Sequence, residues 1–280
     1  MLIDFKNKIF EGSKSRKSVY DCTIPFNPKG MIIFSHGYKG YKDWGAWNLV
    51  QDYFVAAGYG FLKFNFSHNG GTVENPIDFP DLKAFSENCF SFEVKDLQIM
   101  IDEADRLISQ ECNLNVPLHL IGHSRGGGVS ILAGVQNPKV SSVISLAGIS
   151  DIETRFPKGE DFDVWKREGV YFVPNNRTKQ EMPHNISFYD DYQNNKSRLN
   201  IEKALEEREN RFLQIHGDMD LVVSISEGQL LASWSDTEIE IIKGAGHTFG
   251  IKQPWENKEM TGELLEVCKK SLLFFENQSI

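Results

Sequence analysis

LHLIGHSRGGG, residues 118–128, decides how the rest of the chain is read. The apolar run from Pro117 to Ile121 has the character of a buried strand, and the small-residue segment from Gly126 to Val135 that of a helix. Between them stand Gly122, His123, Ser124, Arg125 and Gly126, a G-x-S-x-G sequence in the strand–turn–helix setting that a nucleophile elbow requires. The requirement is steric. A sharp turn from strand to helix strains the backbone at the serine, and large side chains two positions to either side would collide. Glycine at 122 and 126 removes the collision. The turn lifts the Ser124 hydroxyl above the sheet and aims the N-terminus of the next helix at it, where the helix dipole favours negative charge.

Working outward, strands are expected at Met31–Ser35, Phe61–Phe66, Val140–Leu146, Arg211–Ile215 and Glu238–Ile242. Helical spacing of apolar residues marks Trp44–Ala57, Phe92–Ile108, Ser224–Trp234 and Thr261–Phe275. Such alternation implies an α/β fold, a mostly parallel sheet with helices on both faces. The first 25 residues alternate less regularly and are expected to add an antiparallel hairpin at one edge. Ser67–Asn88 is polar and glycine-rich, a long loop of the kind that often forms a binding wall. Residues 152–210 break the rhythm with charge, aromatics and amides, and their clearest helix is only at Asn200–Glu209. They are expected to form a lid inserted in a single domain spanning 1–280, over the sheet edge where open α/β sheets bind ligands.

Composition narrows the function. The 280 residues are 40% hydrophobic and 25% charged, ordinary globular proportions. With 30 Lys+Arg against 39 Asp+Glu the net charge is −9, which argues against a nucleic-acid partner. No apolar run approaches the roughly 18 residues of a membrane span. The opening MLIDFKNKIF places Asp4, Lys6 and Lys8 where a signal peptide needs its apolar stretch, so a cytoplasmic protein is expected. Cys22, Cys89, Cys112 and Cys268 lie far apart without a CxxC pair, as thiols of a reducing compartment would. No metal-ligand spacing, P-loop or dinucleotide fingerprint is present, so neither a metal nor another cofactor is expected.

A serine hydroxyl is a weak nucleophile that needs a base, and the base needs an acid to orient it. Downstream of Ser124 the histidines are His184 in the insertion, His216 at a strand end, and His247 in the loop after EIEII. His247 is the expected base, and His216 is expected to pack under the loop carrying the acid. That acid is Asp218 or Asp220 in QIHGDMDLVV, which spacing alone does not separate.

Together these segments resemble the α/β-hydrolase superfamily over most of the chain. The elbow is one match. His216, Gly217, Asp220 and Val223 are similar to the family's H-G-x-x-D-x-x-V pattern, GAGHTF surrounds His247, and FSHGYKGYKDW closes the strand before the first core helix. The resemblance implies the α/β-hydrolase fold, the chain order serine–acid–histidine, Asp220 as the acid, and Asp218 as a loop residue. It also implies an oxyanion hole built from the backbone N–H groups of Tyr38 and Arg125. His36, Gly37 and His68 are expected near the substrate. His68 stands open between loop structure and a substrate-side wall, because Ser67-His68-Asn69-Gly70 departs from the family's Asp-x-x-Gly-type loop. Serine at 124 disfavours the dehalogenase and dienelactone hydrolase branches, which carry aspartate and cysteine there.

HGYKGYKDW and GHSRGG resemble bacterial hydrolases related both to small esterases and to serine aminopeptidase-type enzymes. This resemblance implies a serine hydrolase acting on a small-molecule carboxylic ester through an acyl-enzyme. The alternative is a peptidase or amidase taking a short peptide, with an acidic anchor from Glu74, Asp78 and Asp81 or from Glu160, Asp161 and Asp163. A non-catalytic binding module is the third reading, set against the presence of all three candidate groups. Transfer of the acyl group to an alcohol rather than water would leave the same residues in place.

Overall fold

In the computed structural model, which describes residues 2–277, the strands are β1 (Ile3–Glu11), β2 (Lys17–Ile24), β3 (Met31–Ser35), β4 (Gly60–Phe64), β5 (Leu118–His123), β6 (Val140–Leu146), β7 (Val170–Asn175), β8 (Gln180–Asn185), β9 (Arg211–Gly217) and β10 (Ile239–Ile242). The helices are α1 (Trp47–Ala56), α2 (Leu82–Glu87), α3 (Phe90–Arg106), α4 (Arg125–Gly134), α5 (Glu160–Glu168), α6 (Ser187–Asn194), α7 (Ile201–Glu206), α8 (Ile225–Trp234) and α9 (Gly262–Glu276). Eight strands form one sheet in the order β1-β2-β4-β3-β5-β6-β9-β10. From β4 to β10 neighbours pair in parallel, whereas β2 runs antiparallel to both β1 and β4. The hairpin expected at one edge is therefore β1–β2.

The alternation of a strand buried on both faces explains the layers. In β3, Met31 and Ile33 enter one core, with the α3 stripe Leu97, Met100, Ile101 and Ala104. Ile32 and Phe34 enter the other, with Trp47, Val50 and Phe54 of α1 and Leu264 and Val267 of α9. No helix among the described residues is long and apolar enough to cross a membrane.

The departures from the sequence reading lie outside this core. Within the expected loop Ser67–Asn88 sits α2, whose Ala84 N–H donates to the Asp81 carboxylate at 3.0 Å. Residues 152–210 hold α5, a β7–β8 antiparallel hairpin and α6 besides the expected α7. These elements carry weak signals. Along α5, EDFDVWKRE, only Trp165 is buried. The hairpin contains Pro174 and Pro183, residues tolerated because a two-stranded sheet consists only of edges.

One buried group ties the antiparallel edge to the loop after β3. Asp21 of β2 accepts from Lys42 Nζ at 2.8 Å and Lys63 Nζ at 2.7 Å, and both lysines also bond Asp43. The Lys63 side chain, on β4, is wholly buried. Removing one member of such a group is costly, because a desolvated charge is left behind.

Candidate active site

Parallel strands carry their following loops to one edge of the sheet, and four such loops converge here. Residues 36–38 follow β3, Ser124 follows β5, Asp220 follows β9 and His247 follows β10. Ser124 has φ 56° and ψ −119°, a conformation costing roughly 1–3 kcal/mol that persists only where its surroundings enforce it. A Cβ at Gly122 would lie 2.2 Å from the Gly126 carbonyl oxygen, and one at Gly126 would lie 2.4 Å from the Ser35 oxygen. Both obstacles are backbone, so neither can swing aside. The Ser124 N–H donates to the Leu146 oxygen at 2.8 Å, which pins the turn to the next strand.

Ser124 Oγ lies 2.9 Å from His247 Nε2, and His247 Nδ1 lies 2.8 Å from Asp220 Oδ2. An ionised carboxylate only accepts, so Nδ1 carries the proton and Nε2 is left to accept from the serine hydroxyl. Asp220 Oδ1 accepts the N–H groups of Val222 at 2.8 Å and Val223 at 3.0 Å. Burial by itself would raise the Asp220 carboxyl, but bonds from His216 and His247 and the Val223 N–H outweigh it. They hold the group well below the usual carboxylate range. Asp218, the other acid that spacing left open, instead accepts the Gly244 N–H at 2.6 Å. His216 lies beneath the acid's loop, its Nε2 donating to the Val223 oxygen at 2.9 Å.

His123, inside the elbow and N-terminal to the serine, also belongs to the site although the sequence does not single it out. His123 Nε2 donates to the backbone oxygen of His247 at 2.9 Å, and its ring packs between those of Trp47 and His247. Burial and the neighbouring His247 push the His123 imidazole down to about 3, so it is neutral at physiological pH. Its position before the serine was the available signal.

The N–H groups of Tyr38 and Arg125 donate to no other protein group among the described residues. A Cβ at Gly37 would stand 3.1 Å from Ser124 Cβ, so this loop lies directly against the serine. His36 is turned away. Its Nδ1 donates to the Gly37 oxygen at 2.9 Å, and its Nε2 accepts from Phe66 N at 3.3 Å. His68 packs on Phe92 and bonds Ser67 Oγ at 2.9 Å. Neither ring lines the cavity at Ser124; both support their own loops.

That cavity has a volume of about 480 Å³. Residues 152–210 contribute Phe156, Trp165, Tyr171, Val173, His184 and Phe188 to its wall. The loop of residues 67–88 contributes nothing to it. It backs the hairpin instead, with Gln180 Nε2 donating to the Phe79 oxygen at 3.0 Å and Arg177 paired to Asp78. Tyr38 Oη and His184 Nε2 are hydrogen-bonded at 2.7 Å, joining the loop after β3 to β8. A second recess of about 250 Å³ has a more polar rim that includes Lys39, Asn175, Arg177 and Thr248. Ser124, Tyr38 and His247 border both spaces. The acidic clusters considered for a peptide anchor line neither, and Asp81 is paired to Arg16. Among the described residues no group of three or more His, Cys, Asp or Glu is placed to hold a metal ion.

No family model matches the chain. A monoacylglycerol lipase of Mycolicibacterium smegmatis is 26% identical over 140 residues, which is 50% of this chain and 45% of the lipase, less than half its length. The ferulic-acid complex of Est1E from Butyrivibrio proteoclasticus superposes with a TM-score of 0.75 at 17% identity, covering 97% of this chain and 99% of that one. The mouse alpha/beta hydrolase domain-containing protein 10 gives 0.64 at 18% identity, covering 95% and 97%. With its mostly parallel sheet, its turn at Ser124 after β5 and these full-length superpositions, the chain has the α/β-hydrolase fold.

Proposed function

We propose that this protein is a serine hydrolase of carboxylic esters. The observation that carries the reading is the hydrogen-bonded series Ser124–His247–Asp220 at the mouth of a largely apolar cavity. Ser124 Oγ attacks the acyl carbonyl carbon while His247 Nε2 takes the hydroxyl proton, and Asp220 stabilises the imidazolium that forms. The tetrahedral oxyanion is received by the N–H groups of Tyr38 and Arg125, donors that have no other protein acceptor among the described residues. His247 then protonates the departing alkoxide, and the acyl group remains on Ser124. A water molecule, deprotonated by His247, attacks the acyl-enzyme and releases the carboxylic acid, with the proton returned to Ser124.

The two spaces beside the serine suggest how the substrate is divided. The apolar cavity suits the acyl chain, and the recess with the polar rim suits the alcohol, which must leave before water enters. Residues 152–210 act as the lid over the acyl side. The ester-cleaving names of the M. smegmatis lipase and of Est1E agree with this chemistry.

The test is turnover of p-nitrophenyl esters from acetate to dodecanoate, with aminoacyl p-nitroanilides alongside and Ser124→Ala as control. Ester turnover that falls by about 10⁴-fold or more in the alanine variant is expected. Equal turnover in both proteins, or cleavage of the anilides alone, would overturn the reading.

A further inference from the structure

Arg125 has two parts with separate fates. Its backbone N–H serves the proposed oxyanion site, which any residue could supply. Its side chain is nine-tenths buried and lines the acyl cavity. A guanidinium out of water needs partners, and this one has a single anchor. Nε donates to Glu93 Oε2 at 2.7 Å, and Glu93 is itself fixed by Asn88 Nδ2 on its other oxygen, also at 2.7 Å. Nη2 is buried with no hydrogen-bond partner among the described residues.

Two aromatic rings border the guanidinium, its centre lying 4.2 Å from the ring of Phe90 and 4.8 Å from that of Phe188. What remains is an edge of unused donors in a largely apolar wall. The cavity's other basic groups are already engaged. Arg155 is bound by Glu227, and His184 Nε2 is hydrogen-bonded to the Tyr38 hydroxyl. Each arginine faces its own carboxylate, so the wall has no net charge to offer an anion. An uncharged oxygen is the acceptor that completes Arg125 without burying a further charge.

We propose that the Arg125 side chain determines specificity by donating from its terminal nitrogens to a neutral carbonyl oxygen on the substrate's acyl chain. The preferred substrates are then esters of oxygen-bearing acids rather than of plain fatty acids. The proposal rests on the ester-hydrolase reading and on the apolar cavity as acyl site.

The experiment compares p-nitrophenyl octanoate with its 4-, 5-, 6- and 7-oxo analogues and with the mono-p-nitrophenyl ester of octanedioic acid. At least one oxo position is expected to exceed the plain ester by about tenfold or more in kcat/KM. That ratio should collapse to within about twofold of one in Arg125→Met, and also in Arg125→Met with Glu93→Gln, which leaves no unpaired carboxylate. The readout is the ratio, so a general loss of rate in the variants does not disturb it. Absence of any oxo preference in the native enzyme, or its survival in both variants, overturns the proposal while leaving the esterase intact. A preference for the dioate monoester that vanishes with Arg125 also overturns it, in favour of an anion site. Should no p-nitrophenyl ester turn over, the esterase reading fails by itself. Binding of methyl oxo-octanoates against methyl octanoate to Ser124→Ala, with and without Arg125→Met, then gives the same ratio as affinity.

Discussion

His123 shows how a side chain outside the Ser124–His247–Asp220 series can set its geometry. By donating to the His247 backbone oxygen it fastens the loop after β10 to the strand that leads into Ser124. We expect His123→Phe, which keeps the ring and loses the donor, to lower kcat about 10–100-fold with little change in KM. Labelling of Ser124 by a fluorophosphonate should slow in proportion; unchanged labelling would mean that the bond does not position the base. The two acids behind β9 allow a sharper contrast. Asp220→Asn should cost about 10⁴-fold in kcat, because the amide no longer fixes the imidazole tautomer. Asp218→Asn, which touches only the Gly244 N–H, should remain within a few-fold. Steady-state kinetics on one ester checks both. That Ser124 and His247 come together was legible in the sequence because each sits in a short local pattern. The choice between Asp218 and Asp220 was not readable from spacing, since both follow the same strand; the family pattern pointed to Asp220, and in the structure Asp220 faces His247 whereas Asp218 faces the Gly244 N–H. The Arg125–Glu93 pair was illegible for a different reason, being made between two helices across 32 residues of chain.

At the level of elements, the core was readable because buried parallel strands and amphipathic helices write strong periodicities. The insertion was not, because its elements are short, polar and joined mainly by aromatic side chains. Trp165 is the centre of that joinery. It is almost wholly buried, its Nε1 donates to the His184 oxygen at 2.8 Å, and Phe156, Phe162, Tyr171 and Tyr189 surround it. Trp165→Ala removes a side chain whose truncation typically costs about 3–5 kcal/mol. The loss should stay local. In hydrogen exchange, amides of α5, β7, β8 and α6 should lose protection while those of β3, β5 and β6 keep it. Uniform loss across the sheet would show that the insertion and the core open as one unit. The elbow should behave in the opposite way. Gly126→Ala meets the backbone oxygens of Ser35 and His36, so it must displace β3 against α4 and is expected to lower the melting temperature of the whole protein.

For the whole molecule, proton uptake is the readable quantity. Burial pushes His36, His68 and His119 down to about 4, and His123 and His184 to about 3. An unfolded chain protonates these rings near pH 6.5, whereas the folded one does so only near pH 3–4. Stability from this source is therefore complete above about pH 6.5 and is lost as pH falls toward 4, at about 1.4 kcal/mol per unit of depression for each ring. Urea midpoints should drop steeply between pH 7 and pH 5. His119→Gln, a change far from the serine at a ring stacked on Phe275, should make that slope shallower. Parallel slopes would mean that His119 is not among the groups responsible. The outline of the fold at this scale was legible as far as the β1–β2 hairpin. What the hairpin does was hidden, because Asp21 and Lys63 look like ordinary alternating polar residues until the sheet is assembled. Their joint burial with Lys42 and Asp43 bears on where the protein can be divided. A border drawn before β3, where the parallel sheet begins, would keep Ser124, His247 and Asp220 in one piece. It would also strand two ammonium groups on a single carboxylate, directly behind the loop that carries Tyr38. The first two strands are thus a counterweight to that loop, and the smallest unit that keeps the site intact has to include them.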